Sequence, residues 1–384
     1  MLFESIRQSL NHLADAHLLR ERRVVQSPCG TQAVINGKTF LSFCSNDYLG
    51  LANNPALTEA VCRAVRQWGA GSGGSHVVGG HTGLHAQLEE TLATFVGSER
   101  ALCFNTGYMA NLGIVPTLVR RGDTVFADRL NHASLIDATL LSRAANKRYR
   151  HGDTAHLAEL LTQTKSGKKL ILTDAVFSMD GDIADIPQLF ALAERHDAWL
   201  VVDDAHGFGV LGKNGRGTLS HSGMPLHPRI IYMATLGKAA GVSGAFVAAN
   251  ALVTEWLRQR ARTYIFTTAD SPLVVAALLC NLQWLAQGDH LRTHLLSLAA
   301  QLHAGLSRTR WQTKMSPTAI QPVIIGSNED VLRVSDALLG RGFFVPAIRP
   351  PTVPEGSARL RISLSAAHTA HQVDLLVNAL EELQ

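Results

Sequence analysis

The chain has 384 residues, 46% apolar and 17% charged, with 35 basic against 31 acidic side chains for a net charge of +4. That length supports a large core and more than one domain, and the composition is globular. The nearly balanced charge, with no run of five or six like charges, gives no case for nucleic acid or an anionic membrane, and Arg20-Glu21-Arg22-Arg23 reads as a local cluster.

Near the N-terminus Phe3, Ile6, Leu10 and Leu13 recur at helical spacing. This predicts an amphipathic helix, not a basic segment followed by an apolar core, so no secretion signal is read there. Asn36-Gly37 between apolar runs predicts a hairpin over 31–43. From about residue 50 the pattern alternates: a helix over 56–68, a Gly-rich loop over 69–83, a helix over 84–96, then strands at 101–104, 124–127, 170–175, 199–203, 230–235 and 245–249. Such alternation with apolar, β-branched strands predicts an α/β fold, a mostly parallel sheet with helices on both faces. The tail differs, with a long helical region over 272–308, short strands at 320–325, 343–348 and 359–364, and a last helix. Thr369 and Gln372 cap that helix, and Val373, Leu376, Val377 and Leu380 form its apolar face. The expected division is 1-48 for an N-terminal helix and strand arm, 49-283 for a large sheet domain and 284-384 for a smaller C-terminal α+β domain. The five cysteines, Cys29, Cys44, Cys62, Cys103 and Cys280, stand singly, which argues against a disulfide framework or zinc knuckle and for a reducing compartment. Apolar stretches such as 271–279 fall short of the roughly 20 residues of a membrane span. The expected location is the cytoplasm.

Lys238 carries the most information. A lone lysine is ordinarily a solvated charge. This one follows the apolar run Ile230 to Thr235, sits between Gly237 and the small residues Gly241, Ser243 and Gly244, and is one of only eight lysines among 35 basic residues. Upstream, Trp199-Leu200-Val201-Val202 runs into Asp203-Asp204-Ala205-His206, placing at least one acid where a buried strand meets the ligand edge of such a sheet. A carboxylate there must be paired or it protonates. A lysine to hold an aldehyde and a carboxylate to keep a pyridine nitrogen protonated are the requirements of pyridoxal phosphate. His132 can lay its ring on a planar cofactor or simply begin a helix. The segment 105–111, with Gly107 and Tyr108, leaves a strand and opens a helix whose free N–H groups suit a phosphate. Ser178, Thr235, Thr267 and Thr268 offer hydroxyls to the same anion. Arg349 is either a carboxylate partner or half of a structural ion pair.

The motifs Ser45-Asn46-Asp47-Tyr48-Leu49-Gly50-Leu51, Gly71-Ser72-Gly73-Gly74-Ser75, Phe177-Ser178-Met179-Asp180-Gly181-Asp182, Asp203-Asp204-Ala205-His206-Gly207, Leu236-Gly237-Lys238, Pro351-Thr352-Val353-Pro354 and Ser365-Ala366-Ala367-His368 fall in order along nearly the whole chain. Together they resemble the α-oxoamine synthases, a family of fold-type-I pyridoxal-phosphate enzymes. The resemblance implies a seven-stranded-type, mostly parallel sheet domain with a smaller C-terminal α+β domain. It implies condensation of an amino acid with an acyl thioester and loss of carbon dioxide. Within the family, Arg349-Pro350-Pro351-Thr352 and Ile320-Gln321-Pro322 resemble the branch that joins L-alanine to a pimeloyl thioester, carried by coenzyme A or an acyl carrier protein. A glycine C-acetyltransferase is the alternative.

By the same resemblance Lys238 is the Schiff-base lysine, Asp203 the pyridinium partner, His132 the stacking ring and His206 the neighbour of the cofactor's phenolic oxygen. Gly107, Tyr108, Ser178 and Thr235 complete the cofactor site, and Thr267 and Thr268 reach the partner's phosphate in a homodimer. Arg361 takes the amino-acid carboxylate with Asn46 nearby, while Arg20 and Thr352 meet the acyl substrate. His76 and the pair Ala239-Ala240 depart from the family pattern and bear on loop geometry. Remoter readings are an α/β-hydrolase elbow at Ser243, against which the strand-like run after the serine argues, and a metal held by His81 and His85, which lack an intervening HExxH glutamate.

Overall fold

The computed structural model describes residues 2–165 and 167–383. They form two compact units, one built from Leu51–Ser178 and Asp182–Arg292, the other from the residues up to Gly50, Met179–Gly181 and those from Thr293 onward.

The first unit is organised by a seven-stranded sheet. In spatial order its strands are Arg100–Phe104, Ala245–Ala249, Ile230–Thr235, Ala198–Asp203, Lys169–Asp174, Thr124–Asp128 and Ala145–Tyr149. Only Ala245–Ala249 runs against its neighbours; the remaining pairings are parallel. Consecutive residues are buried along Thr124–Asp128 and Ala245–Ala249, so both faces of these strands are covered, which explains why their sequences are continuous apolar runs instead of alternating ones. The edge strand Ala145–Tyr149 escapes the sequence pattern because it reads Ala-Asn-Lys-Arg-Tyr and keeps most of its residues in solvent.

Capping fixes where the surrounding helices start. Asn54 accepts the N–H of Ala56 ahead of Pro55–Trp68, Thr106 that of Met109 ahead of Gly107–Leu118, and Ser271 that of Leu273 ahead of Pro272–Gln287. The helical region expected over 272–308 is two helices, Pro272–Gln287 and Asp289–Leu306, parted at Gly288. The Gly-rich stretch is not wholly irregular, since His76–Gly80 makes a π turn, and the following helix spans Gly83–Val96.

The second unit holds two small sheets. Gln32–Ile35 and Lys38–Ser42 form the expected hairpin, with Asn36 at φ 50° and Gly37 at φ 73°, the paired left-handed geometry that Asn-Gly favours. The strand expected over 343–348 divides. Phe343–Phe344 joins Lys38–Ser42, and Ala347–Ile348 pairs instead with Ala358–Ser363, because Pro346 between them has no N–H to continue a ladder. Ile320–Gly326 lies on the other side of Ala358–Ser363. The last helix, Ala370–Glu381, has the predicted reciprocal cap between Thr369 and Gln372, and Val373, Leu376, Val377 and Leu380 are buried beneath it. The N-terminal helix Leu2–Asp15 forms as expected, but its apolar residues stay exposed, Phe3 at 85%.

Candidate active site

In the sheet unit, Lys238 sits in the short connection between Ile230–Thr235 and Ala245–Ala249, which pair antiparallel. Leu236 donates to Gly244 O, Val242 to Leu236 O and Gly241 to Lys238 O, so the loop is closed by its own hydrogen bonds. Its Nζ lies 2.7 Å from His206 Nε2. The departing alanines are core residues: Ala239 and Ala240 are buried, and Ala240 O accepts the Nδ2–H of Asn281 on the Pro272–Gln287 helix.

Asp203 ends the Ala198–Asp203 strand, and the structure separates it from its neighbour. Asp204 is taken by Thr218 N at 2.7 Å, by the Thr218 hydroxyl and by Tyr232 OH at 2.8 Å; burial nevertheless lifts it to about 6. That packing leaves no space at Gly207, where a Cβ would stand 2.2 Å from Asp204 Oδ1. Asp203 accepts Asn111 Nδ2 at 2.8 Å and Ala205 N at 3.0 Å, both neutral donors. Burial raises its pKa, opposed by those hydrogen bonds and by Lys238 and His132.

His132 is the N-cap of Ala133–Ser142, its Nδ1 accepting from Ser134 N at 3.2 Å and lying 2.8 Å from Ser134 Oγ. Asn111 also donates to Ser134 Oγ, at 2.9 Å, so the amide ties His132's cap to Asp203. Desolvation lowers the His132 pKa, Asp203 and Asp137 oppose this, and Lys238 adds to it.

Gly107 and Tyr108 open the Gly107–Leu118 helix, where the first N–H groups have no carbonyl within their own helix. Tyr108 is 40% exposed and its hydroxyl donates to Asp137. Thr235 spends its proton on Gly244 O and accepts Gly237 N, while Ser178 is half-buried. Thr267 is half-buried and Thr268 exposed, with Asn105 Nδ2 donating to Thr268 O.

The donor set suits pyridoxal phosphate. A buried carboxylate served by neutral donors meets a ring cation, the lysine amine meets an aldehyde, and helix N–H groups meet a phosphate. Among the described residues, the ion pairs do not include Asp203. Asn111 Oδ1 is also buried without a partner.

The remaining expected residues lie in the second unit. Arg361, 5% exposed, donates to Ser363 Oγ at 2.6 Å and to Asn46 Oδ1 at 3.1 Å, and Tyr48 OH donates to the same amide oxygen. The next arginine along the strand, Arg359, is closed by Asp180 at 2.7 Å. Arg349 directly follows the strand Ala347–Ile348. Its guanidinium donates to the carbonyls of His17 and Leu19, so it grips main chain just ahead of Arg20, which is itself exposed. Thr352 is exposed in the turn closed by its N–H to Arg349 O.

The hydrolase reading fails on geometry. Ser243 is followed by the strand Ala245–Ala249, not by the helix an elbow requires. His85 has its ring nitrogens on Thr82 and on Asp270 O, while His76 stacks on Tyr264 at 4.6 Å with its Nδ1 2.9 Å from that of His81.

Sequence reasoning missed Asn111, Ser134 and Asp174. Asn111 carried a signal, since a lone amide in Ala110-Asn111-Leu112-Gly113-Ile114 needs a buried partner. It also missed His151, which stands between Asp128 at 3.0 Å and Asp182 at 2.8 Å.

Comparison with known proteins gives concordant results. The family described as aminotransferase class I and II matches residues 38–380. An 8-amino-7-oxononanoate synthase of Herminiimonas arsenicoxydans is 59% identical over 388 residues, covering 100% of both chains. A serine palmitoyltransferase variant from S. paucimobilis, solved with a bound PLP–myriocin aldimine, has TM-score 0.93 at 32% identity and covers 99% of this chain and 96% of its own. The crystal structure of an 8-amino-7-oxononanoate synthase from Francisella tularensis has TM-score 0.78 at 31% identity, with 90% of this chain and 97% of that one covered.

Proposed function

We infer the function from one premise: this chain belongs to the class I and II aminotransferase family, and within it to the 8-amino-7-oxononanoate synthases. It is a pyridoxal-phosphate-dependent acyltransferase of biotin biosynthesis. The full-length likeness at 59% identity carries this conclusion. In the reaction, the α-carbon of L-alanine bonds to the carbonyl carbon of a pimeloyl thioester, the thiol leaves, and the alanine carboxylate departs as carbon dioxide, giving 8-amino-7-oxononanoate.

Pyridoxal phosphate, when bound, supplies an electron sink for negative charge at the α-carbon. The chain's residues do the rest. Lys238 would hold the cofactor's aldehyde carbon, and its amine is the base placed to take the α-proton. Asp203 keeps the proton on the ring nitrogen, and Asn111 and Ala205 keep Asp203 aimed. His206 lies against Lys238 at 2.7 Å and serves the cofactor's phenolic oxygen. His132 would lie against the cofactor's ring and donate to the acyl carbonyl as charge builds there. The N–H groups of Gly107 and Tyr108, with Ser178, would receive the phosphate, and Thr235 would join them by turning its hydroxyl proton away from Gly244 O. Arg361, fixed by Asn46 and Ser363, takes the alanine carboxylate with a planar fork that lysine lacks. Arg20 and Thr352 meet the acyl chain.

The same reading gives a homodimer in which Thr267 and Thr268 reach the partner's phosphate, a donor carried by coenzyme A or a carrier protein, and a cytoplasmic location. Five free cysteines support that location, and among the described residues no helix is long and apolar enough to cross a membrane.

The purified protein with cofactor should absorb as an enzyme-bound aldehyde, and borohydride should fix that cofactor to Lys238. Steady-state rates with pimeloyl-, succinyl- and acetyl-CoA, each with alanine and glycine, should favour pimeloyl-CoA with alanine. Preference for acetyl-CoA with glycine overturns the assignment.

A further inference from the structure

Asp174 ends the Lys169–Asp174 strand, and its partner across the parallel ladder is Asp203. The two carboxyls are 6% and 4% exposed. Acids buried side by side cannot both ionise without repulsion in a poorly screening interior, so the proton stays where the charge is less well served. Asp203 has two N–H donors. Among the described residues the Asp174 carboxyl has one, the main-chain N–H of His132 at 2.7 Å on Oδ2. The charged groups that act on Asp174 are Asp203 and Asp128, which favour the acid form, and Lys238, which opposes it. Burial and then Asp203 hold Asp174 well above the usual carboxylate range.

The surroundings of Asp174 are ordered. Its own N–H donates to Asn131 Oδ1 at 3.1 Å, and Asn131 Nδ2 donates to Leu172 O at 2.8 Å. The end of this strand is therefore stitched to the turn that carries His132, and Asp174 Oδ2 supplies the stitch at His132 itself.

We propose that Asp174 is a positioning residue for the condensation: a neutral carboxyl whose Oδ2 fixes the main chain of His132, leaving Asp203 as the one charged member of the strand-end pair. This rests on the proposed function, because it concerns how His132 and Asp203 are held for that reaction. The proton resides on Oδ1, so an amide reproduces both the acceptor and the donor of the acid. Asparagine at 174 is accordingly conservative, whereas at 203 it removes the needed charge.

Two measurements test this. In cofactor-free protein labelled with 13C at the aspartate carboxyls, the resonance lost in D174N should keep a protonated-acid shift from about pH 5 to pH 8. An ionised shift across that range overturns the proposal. In the holoenzyme, D174N should keep kcat and the alanine KM within about threefold, D174A should lower kcat by about tenfold to 100-fold with the alanine KM little changed, and D203N should lose far more. Loss in D174N as deep as in D203N, or no loss in D174A, overturns it. If D174A does not fold, D174N and the labelled spectrum still decide. A wild-type protein that shows the protonated signal yet fails to condense alanine with the pimeloyl thioester refutes the proposed function and leaves the assignment of the proton intact.

Discussion

The sheet unit buries acids at its strand ends, Asp174, Asp203 and Asp204, whereas the second unit buries guanidinium groups on one strand, Arg359 and Arg361. Each unit meets the same physical requirement, that a buried charge be hydrogen-bonded or neutralised, and within each the solutions differ residue by residue. Asp204 is absorbed by Thr218 and Tyr232, and Arg359 by Asp180. Asp203, like Asp204, is held by neutral donors, and Arg361 donates to the Asn46 amide oxygen and the Ser363 hydroxyl, groups that orient a charge. The sharpest difference lies along one strand, where Arg359 meets a carboxylate and Arg361 meets an amide and a hydroxyl; the proposed function assigns Arg361 an anionic ligand and Asp203 a cationic one.

The strongest test of the first half is Lys238→Ala, which should lower turnover by about 10⁴-fold while the cofactor-free protein unfolds at the wild-type temperature. A residual rate near wild type breaks the assignment of the base. On the other side, Arg361→Gln should raise the alanine KM by about 100-fold with little change in stability, since hydrogen bonds to a charged group are worth about 1.5–3 kcal/mol. Arg359→Gln should do the reverse, costing about 3 kcal/mol of stability by stranding Asp180 and leaving the KM alone. If both variants move the KM equally, the distinction drawn between the two arginines is wrong.

His151 makes a smaller claim about charge that is fully cancelled. Hydrogen bonds to Asp128 and Asp182 raise it to about 10, against desolvation. A histidine raised in the folded state stabilises fully below its unfolded value near 6.5 and loses that contribution as pH climbs through about 10. His151→Gln should therefore cost about 2 kcal/mol at neutral pH, and the difference from wild type should shrink toward alkaline pH in urea unfolding. Parallel curves for the two proteins across that range would sink the claim. The smallest effect should come from Thr369→Ala, which removes a helix cap and should cost about 1 kcal/mol without touching either kinetic constant.

Much of this was legible in the sequence where local chemistry decides the outcome. Asn36-Gly37 needs left-handed backbone, Thr369 and Gln372 cap a helix reciprocally, and strands covered on both faces read as unbroken apolar runs. Lys238, Asp203 and His206 stand out in the sequence because strand ends punctuated by small residues mark the ligand edge of a sheet, and the structure places Lys238 Nζ 2.7 Å from His206 Nε2. The remainder depends on contacts between residues far apart in the chain. Ala145–Tyr149 is a strand only because Thr124–Asp128 offers it an edge. Phe343–Ile348 divides because Pro346 falls between two different partners. Asp174 acquires its meaning from Asp203, 29 positions later, through a strand register that no spacing rule reveals. The hold of Arg349 on the carbonyls of His17 and Leu19 is equally invisible, because a guanidinium near a Pro-Pro turn carries no mark of the backbone it grips.

The closed loop that carries Lys238 has a kinetic corollary. Both of its arms are interior strands of the sheet, and the N–H groups of Leu236, Gly241 and Val242 are bonded across it. Those three amide protons should therefore exchange as slowly as the strands that flank them, tying the mobility of the lysine's backbone to the sheet itself.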